Sequence, residues 1–463
     1  MNMPPNGVAR PLRAALASTL KRGDRFLCGR TERVSLRQLL RGTTLSCPAA
    51  ELAGRSVLLA TGDQLSTAAA LIELDGIARR LILSTPDLAA EHLRGVIVRG
   101  EVNVIIRDDD RSCASEGPGV VCDVRTLRPS PVASSTRCNT EWVLLTSGTT
   151  GAPKLVVHTF DSLSAPVTTS PTPDDDAVWG TFYDIRRYGG LQILLRALVG
   201  GGSLVMADSH EAVGDALRRL AEHRATHVSG TPSHWRRALM SPHARAIAPR
   251  YIRLSGEIVD QAILNTLHST YPRARIGHAF ASTEAGVAFE VNDGLEGFPV
   301  TVLCDSREVE VRVTDGSLRV RSHRCAARYL GDGTRVADGD GFVDTGDIVE
   351  RRGDRYFFLG RRSGVINVGG LKVYPEEVEA AINRHPAVRM SMVHSQKNPI
   401  TGALVAADIV LGADPASRDA AGDVRHQILQ LCRERLPRHK IPSTIRFVPA
   451  VDIASAGKLV RHG

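Results

Sequence analysis

Short apolar runs separated by a helical stretch mark the first third of the chain. Runs of four or five residues at 56–60, 80–84, 103–106 and 142–145 are rich in Val, Leu and Ile. This pattern is typical of strands buried on both faces. A helical stretch at about 68–75 lies between the first two runs. Strands that alternate with helices predict a parallel sheet covered on both sides.

A second block with the same alternation runs from 179 to about 299. Its predicted elements are helices at 190–198 and 212–223 and strands at 202–206, 227–229 and 251–254. Ahead of both blocks, residues 11–50 carry a weaker pattern that we interpret as helical. The chain is therefore predicted to be an α/β protein up to about residue 300.

The pattern changes after residue 300. Residues 308–313 and 317–322 alternate between apolar and polar positions, which predicts half-buried antiparallel strands. Beyond residue 360 a compact α+β segment is predicted, with helices at 375–384 and 423–436 and strands at 402–411 and 444–448.

These changes of pattern predict two domains. We place the boundary near 361–364, with a large N-terminal domain at 1–360 and a small C-terminal domain at 361–463. A chain of this length can bury a sizeable core without metal or disulfide cross-links.

Charge and aromatic content indicate which kind of molecule the protein binds. The 463 residues carry a net charge of +8, but their Lys and Arg residues are scattered and only 4% are aromatic. Because bases stack on aromatic side chains in proteins that bind single strands, we expect no nucleic-acid partner. An anionic small molecule such as ATP is sufficient to account for the charge.

Cysteine usage and hydropathy indicate the compartment. The eight cysteines include no C-x-x-C pair, which favours buried free thiols under reducing conditions. We find no apolar run of about 18 residues and no apolar leader. The expectation is a cytoplasmic protein without membrane insertion; the sequence predicts no oligomeric state.

The loop that follows 142–145 is unusually rich in hydroxyl groups and glycine. Two glycines can turn backbone N–H groups toward an anion, three hydroxyls can donate to phosphate oxygens, and a lysine adds a cation. The spacing differs from G-x-x-x-x-G-K-[ST], so the P-loop NTPase interpretation fails. The predicted phosphate-binding residues are Thr146, Ser147, Gly148, Thr149, Thr150, Gly151 and Lys154.

This loop resembles the signature of the adenylate-forming superfamily, which includes acyl-CoA synthetases, nonribosomal-peptide adenylation domains and firefly luciferase. Further motifs follow in the family's order, and the resemblance covers roughly residues 55–463. It implies parallel sheets and a distorted β-barrel subdomain in the large domain, with a mobile C-terminal domain. ATP and Mg²⁺ are the implied cofactors.

The segment 278–284 resembles the family's adenine and phosphate motif. The resemblance implies that Thr283 contacts phosphate and that Glu284 helps to hold Mg²⁺, a role that suits a hard oxygen ligand. Phe280 stands where Tyr is usual and can still stack on adenine, and Ala281 stands where Gly is usual. The remaining nucleotide-binding candidates of this segment are His278, Ala279 and Ser282.

Further motifs extend the implied site from the nucleotide to the hinge and the thiol acceptor. Ser255, Gly256 and Glu257 resemble the turn beside adenine, and Asp347 resembles the carboxylate that accepts hydrogen bonds from ribose. Arg361 would contact ribose or phosphate. Ser363 stands where the family has its hinge residue, and Gly369–Gly370 resembles the loop that approaches the thiol acceptor.

The terminal motif carries the implied catalytic cation. Gly457–Lys458 resembles the family's Gly-Lys pair, whose lysine reaches from the small domain into the site. There it would neutralise the charge that develops between the substrate oxygen and the α-phosphate. Lys458, Thr283 and Glu284 are therefore the predicted catalytic residues.

The substrate side leaves two alternatives open. In one alignment Arg187 replaces a family histidine, and in the other Asp184 holds a substrate amine. Two arginines near the pocket suggest an anionic group, unless they are structural. The predicted pocket residues are Tyr183, Asp184, Arg186, Arg187, Gly230 and His234.

These residues lead to three functional hypotheses. The first is ATP-dependent activation of a carboxylic acid to acyl-AMP, followed by transfer to the thiol of CoA or of the phosphopantetheine of an acyl carrier protein. The second is ATP-dependent activation of nitrite for diazotisation of an amine. The third is a non-catalytic ATP-binding protein, against which the joint presence of Lys154, Glu284, Asp347, Arg361 and Lys458 argues.

Overall fold

The computed structural model describes residues 10–20, 25–108, 119–130, 138–146, 151–168, 176–208, 210–303, 308–331, 333–412, 418–454 and 457–459. Its helices are α1 (Leu12–Thr19), α2 (Leu36–Arg41), α3 (Gln64–Leu74), α4 (Ala90–Gly100), α5 (Phe160–Thr168), α6 (Tyr188–Gly200), α7 (Val213–Glu222), α8 (Pro232–Met240), α9 (Gln261–Thr270), α10 (Pro375–Ile382) and α11 (Arg418–Arg435).

The strands up to residue 291 are β1 (Phe26–Cys28), β2 (Arg33–Ser35), β3 (Gly42–Thr43), β4 (Ser56–Leu59), β5 (Arg80–Leu83), β6 (Val104–Arg107), β7 (Gly119–Val121), β8 (Arg128–Pro129), β9 (Glu141–Thr146), β10 (Lys154–Thr159), β11 (Val178–Thr181), β12 (Ser203–Met206), β13 (His227–Gly230), β14 (Tyr251–Ser255), β15 (Arg275–Ser282) and β16 (Gly286–Val291). The later strands are β17 (Phe298–Pro299), β18 (Val309–Thr314), β19 (Ser317–Ser322), β20 (Arg328–Leu330), β21 (Val343–Arg352), β22 (Arg355–Arg361), β23 (Ile366–Val368), β24 (Leu371–Val373), β25 (Val388–Asn398), β26 (Gly402–Leu411) and β27 (Thr444–Phe447).

Two sheets with parallel centres form the large domain, as the apolar runs predict. The first has the order β20-β10-β9-β5-β4-β6-β7, and the second has the order β16-β15-β14-β13-β11-β12-β1-β2. Strands β9, β5, β4, β6 and β7 run parallel to one another. Strands β15, β14, β13, β11, β12 and β1 do the same in the second sheet.

Helices α3 and α6 lie between the two sheets. One apolar cluster joins them to side chains of both sheets, such as Leu81 and Leu204. Every residue of α3 is buried, because the helix lies between the two sheets. Its polar side chains are paired there: Gln64 Nε2 donates to the carbonyl oxygen of Ala207 at 2.8 Å, and Glu73 Oε1 accepts from Thr44 N at 2.7 Å. Asp63 caps its start by accepting from Ser66 N at 2.9 Å. Separate clusters cover the outer faces, with α4 on the first sheet and α7–α9 on the second.

The N-terminal region differs from the weak helical prediction. Helices α1 and α2 are present, but β1 and β2 between them join the second sheet. Strand β1 pairs in parallel with β12. In one contact between them Phe26 N donates to Ser203 Oγ, and these two residues are 177 positions apart in the chain. Because β1 is three residues long, its apolar signal is too short to be recognised in the sequence.

A five-stranded antiparallel sheet, β17-β22-β21-β19-β18, follows the parallel sheets. It stands where the resemblance implies the barrel subdomain. The small domain then packs α10 and α11 on a sheet of β25, β26 and β27 around its own apolar cluster. Strand β25 is not predicted from the sequence, because its second half, His394–Asn398, is polar. Within the described residues, no helix is long and apolar enough to cross a membrane.

Candidate active site

A cavity of about 490 Å³ opens where the second parallel sheet, the five-stranded sheet and the small domain meet. It lies beyond the carboxyl ends of β11, β13, β14 and β15, the edge where open α/β sheets bind ligands. Most of the residues predicted from the sequence line it. These are Thr146, Tyr183, Asp184, Arg187, Ser255, Gly256, Glu257, His278, Ala279, Phe280, Ala281, Ser282, Thr283, Glu284, Asp347, Arg361 and Lys458.

Other predicted residues lie elsewhere. Ser147, Gly148, Thr149 and Thr150 are outside the described residues. Gly151, Lys154, Arg186, Gly230 and His234 are described but do not line the cavity. The ammonium group of Lys154 lies 5.1 Å from the centroid of the Tyr329 ring. A role for this lysine at phosphate remains a prediction.

Neighbouring strands bring two of the motifs side by side. Strands β14 and β15 pair in parallel, with Ser255 opposite Ala279. Gly256, directly after β14, has a φ of 87°, a value that favours glycine and lets the chain turn along the cavity. The turn at 255–257 and the segment 278–284 therefore share one wall.

A buried histidine holds the phosphate motif from behind. His158 Nε2 lies 2.7 Å from the carbonyl oxygen of Thr283, and its Nδ1 lies 3.0 Å from Ser162 Oγ. Burial lowers the pKa of His158 to about 4, so the ring is neutral at pH 7 and donates to Thr283 through one nitrogen only. The sequence does not indicate a role for His158, since a contact between β10 and residue 283 has no local signal.

Glu284 is suited to share a metal ion with a nucleotide. Its side chain is half-buried and faces the cavity. Among the described residues, no group of three or more His, Cys, Asp or Glu side chains could enclose a metal ion. One carboxylate together with phosphate oxygens fits Mg²⁺, which usually binds through one or two carboxylates and the phosphates of a substrate.

Asp347 and Arg361 form the opposite wall. They are directly opposite on β21 and β22, and Arg361 Nε lies 3.2 Å from Asp347 Oδ1. The side chain of Asp347 is 16% exposed and that of Arg361 is 54% exposed. The carboxylate is thus held in place and still open to a ligand.

Phe280 belongs to an aromatic cluster beside the cavity. Its ring lies nearly parallel to Phe358 and to Phe289, with centroid distances of 5.2 and 5.6 Å. All three residues line the cavity. Stacking of Phe280 on adenine remains a prediction, and these neighbouring rings would share the contact. His278 is less available, because its Nε2 lies 3.0 Å from the carbonyl oxygen of Leu295.

Lys458 reaches the cavity from the small domain. Its side chain is accessible from the cavity, and protein atoms enclose the cavity around this side chain. That surrounding protein lowers the pKa of Lys458 by desolvating its charge, and Arg361 and Arg187 also lower it, against Glu257 and Asp347. Charged groups of both walls thus act on the ammonium group.

Asp184 and Arg186 form a buried ion pair, which differs from the substrate role predicted for both. Arg186 Nη2 and Asp184 Oδ2 are 2.5 Å apart, and Arg186 Nε and Asp184 Oδ1 are 2.8 Å apart. Arg186 also donates to the carbonyl oxygens of Thr61 and Gly62. Because both side chains are almost fully buried, each charge is compensated by the other, although Asp184 borders the cavity.

Arg187, unlike Arg186, lies at the cavity. It lines the cavity, and its Nη2 lies 2.5 and 2.6 Å from the two carboxylate oxygens of Asp87. Asp87 follows β5, so the first parallel sheet orients this guanidinium group. Tyr183 is also fixed, since its hydroxyl donates to the carbonyl oxygen of Ser255 at 2.7 Å.

Two family models match this chain. A family model described as AMP-binding enzyme matches residues 66–324, and one described as AMP-binding enzyme C-terminal domain matches residues 377–458. The 2-succinylbenzoate–CoA ligase of Bacillus velezensis is 24% identical over 96% of this chain and 88% of the ligase. Chondramide synthase cmdD of Chondromyces crocatus is 28% identical over 70% of this chain and only 9% of the synthase.

A solved structure shares the fold. The crystal structure of the anthranilate CoA ligase AuaEII in complex with anthranoyl-AMP has a TM-score of 0.81 to this chain. The sequences are 16% identical, and the superposition covers 98% of this chain and 96% of that one.

Proposed function

The chain belongs to the AMP-binding enzyme family and is an adenylate-forming ligase, and we propose that it activates a small carboxylic acid and transfers the acyl group to a thiol. One observation carries this proposal: Lys458 lines the same cavity as Thr283, Glu284 and Asp347. A cation from the small domain thus meets the residues expected at phosphate and ribose.

In the proposed first step, a carboxylate oxygen of the acid attacks the α-phosphorus of ATP. The bond between that phosphorus and the oxygen bridging to the β-phosphate breaks, which releases pyrophosphate and leaves acyl-AMP. Lys458 stabilises the negative charge shared by the attacking oxygen and the α-phosphate. When bound, Mg²⁺ supplies charge neutralisation at the phosphates, and Glu284 is the residue that would hold it.

The nucleotide would lie between the wall of β14 and β15 and the opposite wall of β21 and β22. Asp347 would accept from the ribose hydroxyls, and Thr283 would donate to phosphate. The neutral ring of His158 fixes Thr283 through its main chain. Such preorganised groups stabilise a transition state without having to rearrange during the reaction.

The buried ion pair of Asp184 and Arg186 helps to define which class of carboxylic acid the enzyme activates. If Asp184 held a substrate amine, its carboxylate would need to be free of Arg186, and it is not. We therefore expect acids without an α-amino group. The names of two similar proteins, 2-succinylbenzoate–CoA ligase and anthranilate CoA ligase, point to aromatic acids and to CoA as the thiol.

Activation of nitrite is the second candidate. It is favoured by Arg187, which lines the same cavity as Lys458. Two cations near one point suit a small oxyanion. In that reaction nitrite would take the place of the carboxylate at the α-phosphorus, and an amine would be the acceptor.

The test is ATP-dependent release of AMP and pyrophosphate across aliphatic, aromatic and amino acids, with nitrite plus an aryl amine included. We expect release with one class of carboxylic acid that lacks an α-amine, and a thioester when CoA or a carrier thiol is added. Lys458→Ala should lower pyrophosphate release by at least ~10²-fold, since removing one transition-state donor typically has this effect. Release with nitrite alone, giving a diazo product, would support the second candidate instead.

A further inference from the structure

Residues 457–459 cross the cavity and contact the first turn of α8. On one side of Lys458, Thr231 Oγ1 donates to the carbonyl oxygen of Gly457 at 2.6 Å. On the other side, Leu459 N donates to Glu257 Oε1 at 3.1 Å. The lysine is thus held by its main chain at the residue before it and the residue after it.

Glu257 is itself fixed by the start of α8. Its Oε2 accepts from Ser233 N at 2.9 Å, and its Oε1 accepts from Ser233 Oγ at 3.0 Å. A carboxylate is favourable at a helix N-terminus, where backbone N–H groups have no partner within the helix. Both carboxylate oxygens are therefore engaged before Leu459 N adds its bond.

The first turn of α8 is closed by a reciprocal cap. Thr231 Oγ1 accepts from His234 N at 3.0 Å, while His234 Nδ1 accepts from Thr231 N at 3.2 Å. This cap explains why His234 does not line the cavity as predicted. Its ring forms the back of a groove instead, since a Cβ added at Gly457 would lie 1.9 Å from His234 Cε1.

We propose that Glu257, together with the first turn of α8, forms a receptor that positions Lys458 for adenylation. The inference rests on the proposed function and changes the role expected for Glu257, which the family resemblance assigns to the surroundings of adenine. Thr231 and Glu257 contact the main chain on either side of the lysine, and Ser233 holds Glu257, so all three are positioning residues.

The receptor acts only when the small domain is docked. Its contacts join residues more than 200 positions apart in the chain, 231 to 457 and 257 to 459. Losing them should affect the step that uses Lys458 and spare a step that does not. Transfer of a preformed acyl-adenylate to the thiol is such a step.

The test compares Glu257→Ala and Glu257→Gln with the wild type and with Lys458→Ala, in acid-dependent exchange of pyrophosphate into ATP. For Glu257→Ala we expect exchange to fall by about 10²-fold, as displacement of a catalytic group by about 1 Å can do. The KM for ATP should change less than ~2-fold, and conversion of supplied acyl-adenylate to thioester should be unchanged. Glu211→Gln is the matched control, because Glu211 is also half-buried but pairs with Arg219 away from the cavity.

The pH profile gives a second readout that a general loss of folding would not produce. The charge of Glu257 raises the pKa of Lys458. In Glu257→Gln the alkaline limb of the exchange reaction should therefore move to lower pH. An unmoved limb would show that the charge of Glu257 does not act on Lys458 and would count against the receptor.

The outcomes separate the two proposals. If Lys458→Ala loses exchange and Glu257→Ala does not, the receptor is wrong and the proposed function stands. If Glu257→Ala mainly raises the KM for ATP, Glu257 serves the nucleotide, as the resemblance implies. Full exchange in both variants would overturn the receptor and the proposed role of Lys458 together.

Discussion

At the scale of single residues, the charged groups of the site divide into those that are already paired and those that face the cavity. Asp184 is enclosed by Arg186, whereas Asp347 keeps an accessible carboxylate beside Arg361. Within the described residues, Lys458 makes no ion pair. The sequence alone does not separate these cases, because Arg186 reaches its other partners, Thr61 and Gly62, across about 125 positions of the chain.

The buried pair can be tested by removing one partner. Arg186→Met should destabilise the protein by about 3–5 kcal/mol, because it leaves the Asp184 carboxylate buried without its cation. Replacing both residues, Asp184→Asn with Arg186→Met, should recover most of that loss. The measurement is urea unfolding followed by tryptophan fluorescence.

Substrate preference provides the contrasting measurement for the same variants. If Asp184 selects the acid, Asp184→Asn will change which acids release AMP. We expect the order of acids to stay the same, which would assign the pair to structure alone.

At the scale of elements, the predictable parts of the chain are those whose signal is local. Strands β4, β5, β6 and β9 follow the apolar runs because strands covered on both faces need apolar side chains throughout. The motif residues were predictable because each motif is contiguous in sequence. By contrast, the receptor at Thr231 and Glu257 depends on contacts between distant segments, which leave no periodic pattern. Strand β25 is local, but its polar second half hides it in the sequence.

Helix α1 depends on one buried carboxyl group. Asp75 accepts from Leu12 N at 2.6 Å and from Trp142 Nε1 at 2.8 Å. Burial raises the pKa of Asp75 to about 6 from its ordinary value of 3.8, although these two hydrogen bonds oppose the shift. The folded state therefore binds the proton more tightly than the unfolded state.

The contribution of Asp75 to the free energy of unfolding therefore falls as the pH rises. The stabilisation from Asp75 is fully present below pH 3.8 and is lost as the pH rises through about 6. Between pH 5 and pH 7 the wild type should lose about 1 kcal/mol that Asp75→Asn does not lose. Thermal unfolding at the two pH values measures this difference. Asp215→Asn, at an exposed position, serves as the control, and an identical pH response in wild type and Asp75→Asn would contradict the assignment.

At the scale of the whole molecule, polar contacts join the small domain to the rest. Asn383 Nδ2 donates to Asp260 Oδ2 at 3.2 Å, and Arg384 pairs with Glu296 at 2.6 Å. Arg236, which pairs with Asp260, also reaches the carbonyl oxygen of Arg389. An interface of hydrogen bonds and ion pairs can separate without exposing a large apolar area.

Asn383→Asp tests whether this interface favours adenylation. The new carboxylate would face Asp260, and like charges at this distance should weaken docking. We expect pyrophosphate exchange to fall by roughly 3–10-fold, equivalent to about 1 kcal/mol. Thioester formation from supplied acyl-adenylate should be equal to or faster than in the wild type.

The control for that substitution is Asn265→Asp, which makes the same chemical change at an exposed position of α9. It should leave both reactions unchanged. A similar fall in both reactions for Asn383→Asp would indicate damage to the small domain and would contradict a role in docking.

The pairing of β1 with β12 has a consequence for synthesis of the chain. The two strands are 177 residues apart, and a ribosome adds about 5–20 residues per second. The first strand of the second sheet therefore waits roughly 10–35 s for its partner to be made. During this interval the nascent chain carries apolar segments that cannot yet be buried, which makes it a candidate client for chaperones that bind emerging polypeptides.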